Sequence, residues 1–132
     1  MDVEVSTAEK LSRPHILLVE DDPDLLDITG QLIEHLGYSY TAATGSNEAI
    51  KKLKENPEIF DAVFTDYSLP VMNGVELARM IKKLLSDIPI ILCSGKIDLL
   101  DEGQIAAAGI VDIARKPYTI SELDSIIKRV VN

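Results

Sequence analysis

The sequence predicts a three-layer α/β domain, a parallel sheet of five short strands covered on both faces by helices. Five short apolar runs rich in β-branched residues alternate with amphipathic stretches, the pattern of repeated βα units. The 132 residues, 46% hydrophobic, are enough to bury one full core. Reactive polar residues follow the apolar runs, as expected where the ends of parallel strands open on a common crevice.

The strands are read as His15–Val19 (β1) and residues 38–43 (β2), 60–65 (β3), 88–93 (β4) and 110–114 (β5), each too short for a buried helix. After β1, Leu25, Leu26, Thr29, Leu32, Ile33 and Leu36 recur at helical spacing, with Gly37 at the place of a C-terminal cap. This is α1. Ser46 is read as the cap of α2, with Ala49, Ile50 and Leu53 inward, Lys51, Lys52 and Lys54 outward, and Asn56-Pro57 as its end. Helix α3 begins after Gly74 and faces Val75, Ala78, Ile81 and Leu85 inward. The stretch 97–108 contains Gly103 and a sparse apolar stripe, so α4 is expected to be the least stable helix. Helix α5 begins at Ser121, with Leu123, Ile126, Ile127 and Val130 in register. Residues 1–13 are polar and aperiodic up to Pro14 and read as a flexible tail or linker, leaving 14–132 as one domain.

Composition excludes several classes. Thirteen Lys plus Arg against 22 Asp plus Glu give a formal charge of -9, which repels nucleic acid phosphates and argues against direct nucleic acid binding. Cys93 has no partner for an internal disulfide and lies in an apolar run, where a small buried hydrophobe is expected. No stretch approaches the roughly 18 to 20 apolar residues of a membrane span, and the N-terminus lacks the apolar core of a signal peptide, so a cytoplasmic location is expected.

The chemistry is sought at the strand ends. Glu20 and Asp21 follow β1, Asp66 follows β3, Ser94 follows β4 and Lys116 follows β5. Each alone has an ordinary structural explanation, since acids end strands and cap helices. Together they form a set suited to phosphoryl transfer, and only β2, the expected edge strand, contributes nothing. Carboxylates gathered there repel one another unless a cation intervenes, and a hard divalent ion such as magnesium is suited to oxygen ligands, with Asp21 and Asp66 as candidates. A carboxylate also serves as a nucleophile toward phosphorus once the transferred charge is neutralised, here by the metal, the Lys116 ammonium and the Ser94 hydroxyl.

Four segments, ILLVEDD at 16–22, TDYSLPVMNG at 65–74, ILCSG at 91–95 and RKPY at 115–118, stand in order after their strands. On these residues the chain, from about His15 to its C-terminus, resembles the response-regulator receiver family of two-component signalling. The resemblance implies a flavodoxin-like (βα)5 fold with strand order 2-1-3-4-5, a topology for which a member of this family is a standard example. It implies Asp66 as phosphoacceptor, Glu20 and Asp21 as the acidic pair at magnesium, Ser94 as the hydroxyl residue and Lys116 as the lysine. It further implies the backbone carbonyl of Ser68 as a metal ligand, Pro70 and Gly74 as shapers of the loop, and a cis Lys116-Pro117 bond. Asp22, one past the acidic pair, is expected to act as an N-terminal charge of α1.

Implied partners are a histidine kinase or histidine phosphotransfer domain as donor and a protein as output target, with the domain a monomer or a phosphorylation-dependent dimer. The module is expected to be a phosphoacceptor and not an enzyme, except toward its own phosphorylation and dephosphorylation. ILCSG looks like the receivers appended to hybrid histidine kinases, so a module of such a kinase is favoured over a stand-alone regulator. One departure stands out: Ile113 occupies the position where the family usually carries Tyr or Phe, so output is expected to run through the α4, β5 and α5 face by aliphatic repacking. Neither His15 nor His35 looks like a phosphodonor.

Two other readings compete. Asp22-Pro23-Asp24 offers the Asp-x-Asp of a haloacid dehalogenase-type phosphatase, but Leu25 falls where that family needs Thr or Val, and the chain is short for a core plus cap. A pseudo-receiver would keep the fold as a binding module without phosphorylation, against which the complete set of acids, acceptor, hydroxyl and lysine argues.

Overall fold

A computed structural model describes residues 13–96 and 100–131. Five parallel strands, β1 His15–Val19, β2 Ser39–Ala43, β3 Ala62–Asp66, β4 Ile90–Ser94 and β5 Ile110–Arg115, form one sheet in the order 2-1-3-4-5. Helices α1 Pro23–His35, α2 Ser46–Glu55, α3 Gly74–Leu84, α4 Glu102–Ala107 and α5 Ile120–Val131 follow the strands in turn. Successive side chains of a strand face opposite ways, and the core divides accordingly. Leu17, Val19, Val63, Ile90 and Leu92 meet buried residues of α2, α3 and α4 on one face. Ile16, Leu18, Phe64, Ile91 and Cys93 meet α1 and α5 on the other. The expected three-layer architecture and strand order are those observed.

Local chemistry moves several boundaries. Phe60 and Ile88 are buried, yet precede their strands: the apolar run begins in the entering loop, and the strands run on through Asp66 and Ser94. Ser46 is not the cap of α2 but its first residue, and is itself buried; Gly45 takes the cap position. Helix α5 starts at Ile120, not Ser121, behind Thr119 as its cap, whose hydroxyl accepts from Glu122 N at 3.0 Å while Thr119 N donates to the Glu122 carboxylate at 3.0 Å, a reciprocal capping box. Helix α4 is the shortest, capped by Asp101, whose carboxylate accepts from Gly103 N at 2.8 Å. The expected α4 residues 97–99, residues 1–12 of the lead-in and Asn132 lie outside the described residues. On α1, Gly30 and Ile33 are buried, whereas Leu25 of the expected inner stripe is 41% exposed. Lys52 does not face outward: its ammonium donates to the Ala42 carbonyl at 2.5 Å and pairs with Glu48 at 3.4 Å.

His15 ties the sheet edge together. Its ring nitrogens lie 2.7 Å from Ser39 Oγ and 2.6 Å from Thr41 Oγ1, both on the edge strand β2, and its backbone N–H donates to Asp61 at 2.7 Å. Burial lowers the His15 pKa from its ordinary 6.5, and the nearby Asp61 carboxylate only partly opposes this. The folded state thus favours the neutral ring. The resulting stability is fully present above about pH 6.5 and is lost as pH falls from there through the lowered folded value. His15→Gln is expected to flatten stability against pH below about 6.5, measured as urea midpoints of both proteins. Equal slopes for wild type and variant would contradict this role.

Candidate functional site

Four strand ends converge. Glu20 directly follows β1, Asp66 is the last residue of β3, Ser94 the last of β4, and Lys116 directly follows β5. Adjacent strands in register bring them together: Val19 stands opposite Thr65, Asp66 opposite Cys93, and Ser94 opposite Arg115. Glu20, Asp66 and Ser94 are buried, while Asp21 is exposed at the mouth. Carboxylate oxygens of Glu20, Asp21 and Asp66 all lie within 4.8 Å of one another. Lys116 Nζ reaches Asp66 Oδ1 at 3.2 Å and Glu20 Oε1 at 3.7 Å.

Burial raises the Glu20 pKa; Asp66 and a hydrogen bond with Asp21 add to it, while the Asp22 N–H and Lys116 pull the other way. For Lys116 burial works to lower the pKa, and Cys93, Asp66 and Glu20 together more than reverse it. One ammonium against three carboxylates leaves net negative charge in a half-closed crevice. The donors are all hard oxygens: Cys93 is buried and its thiol is pushed up to about 12, so it offers no thiolate near neutral pH. This set suits a hard divalent cation and not a soft one.

The remaining expected residues take definite places. The Ser94 hydroxyl oxygen accepts from Lys96 N at 2.9 Å, and its carbonyl accepts from Lys116 N at 3.0 Å. Ser68 lies exposed on the loop after β3, which closes where Gly74 N donates to Tyr67 O at 2.8 Å. Asp22 is the N-cap of α1, its carboxylate accepting from Asp24 N at 2.9 Å and Leu25 N at 3.4 Å, so Asp22-Pro23-Asp24 is a helix start and no catalytic pair. The Lys116-Pro117 bond is cis.

Gly74 is explained by space. A Cβ there would meet the Asp66 carbonyl oxygen at 2.5 Å, Leu92 Cδ1 at 2.8 Å and Tyr67 Cα at 3.0 Å, two of them backbone atoms with little freedom to withdraw. Gly74→Ala is expected to cost about 1–3 kcal/mol, read as a lower urea midpoint. A midpoint equal to that of the wild type would contradict this packing account. In the same loop Val71 has φ 69° and is 92% exposed, and Met72 N donates to Pro70 O at 2.7 Å around it. Such a γ-turn centred on a β-branched residue is strained, and nothing in the sequence signals it. Also unforeseen is a cavity of about 400 Å³ beside the site, between α1 and the β5–α5 connection, walled by Leu25, Ile28, Phe64 and Tyr118 and reaching Asp66 and Lys116.

The family model for the response regulator receiver domain matches residues 16–128. The chain belongs to this family. Among curated relatives, the response regulator SaeR of Staphylococcus aureus is 31% identical over 109 residues, covering 83% of this chain and 46% of SaeR. The chain therefore spans about half the length of the curated relatives it matches. The receiver domain of the sensor histidine kinase PA1611 from Pseudomonas aeruginosa, solved with a magnesium ion coordinated in its active site cleft, is 28% identical with a TM-score of 0.81, covering 91% of this chain and 98% of that one. The non-phosphorylated HemR receiver domain from Leptospira biflexa is 30% identical with a TM-score of 0.81, over 91% of this chain and 95% of its own. As a receiver domain of two-component signalling, the chain carries at its strand ends an acidic cluster suited to magnesium and to phosphorylation of aspartate. No helix among the described residues is long and apolar enough to cross a membrane.

Proposed function

We propose that the receiver domain, occupying 14–132 behind a lead-in of 1–13, takes a phosphoryl group onto Asp66 with magnesium bound at the acidic cluster. One observation carries this reading: the Asp66 carboxylate stands within 4.8 Å of oxygens of both Glu20 and Asp21 and 3.2 Å from the Lys116 ammonium. Glu20, Asp21, Asp66 and the Ser68 carbonyl would hold the metal, which when bound neutralises charge on the transferred group. An Asp66 carboxylate oxygen forms the bond to phosphorus while the donor's bond to phosphorus breaks, and the leaving group departs with the electron pair. Lys116 meets the phosphoryl oxygens as a point charge, and the Ser94 hydroxyl donates to one of them. The same groups support slow hydrolysis of the resulting acyl phosphate.

The chemistry requires a donor with an activated phosphorus, which in two-component signalling is a phosphohistidine of a kinase or phosphotransfer domain, and an output partner that distinguishes the two states. Output is read through β5. Ile113 packs, with Leu100, against the core face that holds Ile105 of α4, and the β-branch of Ile113 restricts χ1, so aliphatic repacking replaces the swing of a ring. Amide exchange with beryllofluoride plus magnesium is expected to change most within residues 94–114; changes centred on α1 or α2 with that stretch silent would exclude this route.

The test of the function is intact-mass spectrometry after acetyl phosphate. Gain of one labile phosphoryl group, dependent on magnesium, is expected; a protein that stays unmodified is a pseudo-receiver.

A further inference from the structure

Lys116 bears its charge on a flexible four-carbon stem, and its side chain is 34% exposed, yet its Nζ stands 3.2 Å from Asp66 and 3.7 Å from Glu20. Something must hold the backbone that carries it. On the upstream side the sheet does so, since Lys116 N donates to Ser94 O at 3.0 Å, just past the end of β5. Downstream the chain has left the sheet, and the next side chain with partners on other elements is Tyr118. Its ring meets Phe64 edge-on, with centroids 6.3 Å apart and planes at 74°, a favourable aromatic geometry. Phe64 is fixed in turn, 2% exposed in the core and two residues before Asp66 on the same face of β3. Tyr118, Pro117, Lys116 and Phe64 together line the cavity beside the site.

We propose that Tyr118 is a positioning residue for Lys116, clamping the lysine segment to the acceptor strand through Phe64, so that the ammonium is held at the phosphoryl group during transfer. The inference rests on Asp66 as acceptor and adds a residue from outside the crevice itself. Misplacement of a charged group by a fraction of an ångström to an ångström lowers transfer rates steeply, so the clamp acts on rate. It leaves the metal ligands alone, because neither Tyr118 nor Phe64 is among Glu20, Asp21 and Asp66.

The test measures the rate of phosphoryl uptake from acetyl phosphate across magnesium concentrations. Tyr118→Leu is expected to lower the maximal rate about tenfold with the magnesium midpoint unchanged. Phe64→Leu, which takes away the other ring of the same contact, is expected to lower it similarly, with the double Leu variant no slower than either, whereas Tyr118→Phe, which keeps the ring, stays within about twofold of wild type. Phe64→Leu carries the test if Tyr118→Leu fails to fold. Leu variants at the wild-type rate overturn the proposal, as do a Tyr118→Phe variant as slow as Tyr118→Leu, additive losses in the double variant, or a maximal rate and magnesium midpoint that worsen together. A wild-type protein that takes up no phosphoryl group fails the Asp66 reading first, which distinguishes that failure from failure of the clamp.

Discussion

Asp66→Asn is expected to lower phosphoryl uptake from acetyl phosphate by at least about 100-fold, some 2.7 kcal/mol in the barrier. The amide keeps the shape of the side chain at the end of β3 but is no nucleophile toward phosphorus. It also gives up the charged contact with Lys116 at 3.2 Å and one of the three clustered carboxylates. No neighbour readily substitutes. Glu20 is held by the Asp22 N–H at 3.2 Å and its pKa is raised by burial, then by Asp66. Asp21 lies exposed at the mouth. Time courses of incorporation for wild type and variant check this, and incorporation at the wild-type level would contradict it.

Magnesium is expected to stabilise the fold before any phosphorylation. A ligand that binds only the native state contributes RT ln(1 + [L]/Kd), about 1.4 kcal/mol at ten times Kd, or about 4–8 °C in melting temperature for a domain of this size. The physical source is relief of repulsion among Glu20, Asp21 and Asp66, which Lys116 alone leaves incompletely neutralised. Asp21→Ala removes a ligand from the exposed rim with little loss of packing and should cut the shift sharply. Because burial raises the Glu20 pKa, protons compete with the metal, and the shift should shrink as pH falls through that raised value. A melting temperature unmoved by millimolar magnesium, or moved equally in Asp21→Ala, would count against the site.

The fold was legible because each strand is a short run, in β1, β3 and β4 buried on both faces, and each helix shows one apolar stripe. Boundaries were less so. The apolar character of Phe60 and Ile88 serves the loops that enter β3 and β4, whereas Asp66 and Ser94 keep strand backbone despite their polar side chains, since backbone pairing with the neighbouring strands is indifferent to the side chain. At α2 the buried Ser46 yields the cap to Gly45, a choice made by packing that no propensity records. The residues gathered at the crevice were readable because parallel strands deliver their ends to one edge. The contact of Phe64 with Tyr118 was not, because its members come from β3 and the β5–α5 connection and carry no shared spacing. Nor was the conformation of Val71, which only the closure of its loop imposes.

The central claim, that Asp66 carries the phosphoryl group, is tested most directly by trapping the acyl phosphate. Borohydride reduces an aspartyl phosphate to homoserine, and peptide sequencing by mass spectrometry then locates the altered residue. After acetyl phosphate and magnesium, homoserine is expected at position 66 and nowhere else. Homoserine at position 21, or a phosphoryl group found on the intact protein with no homoserine at position 66, would contradict the account.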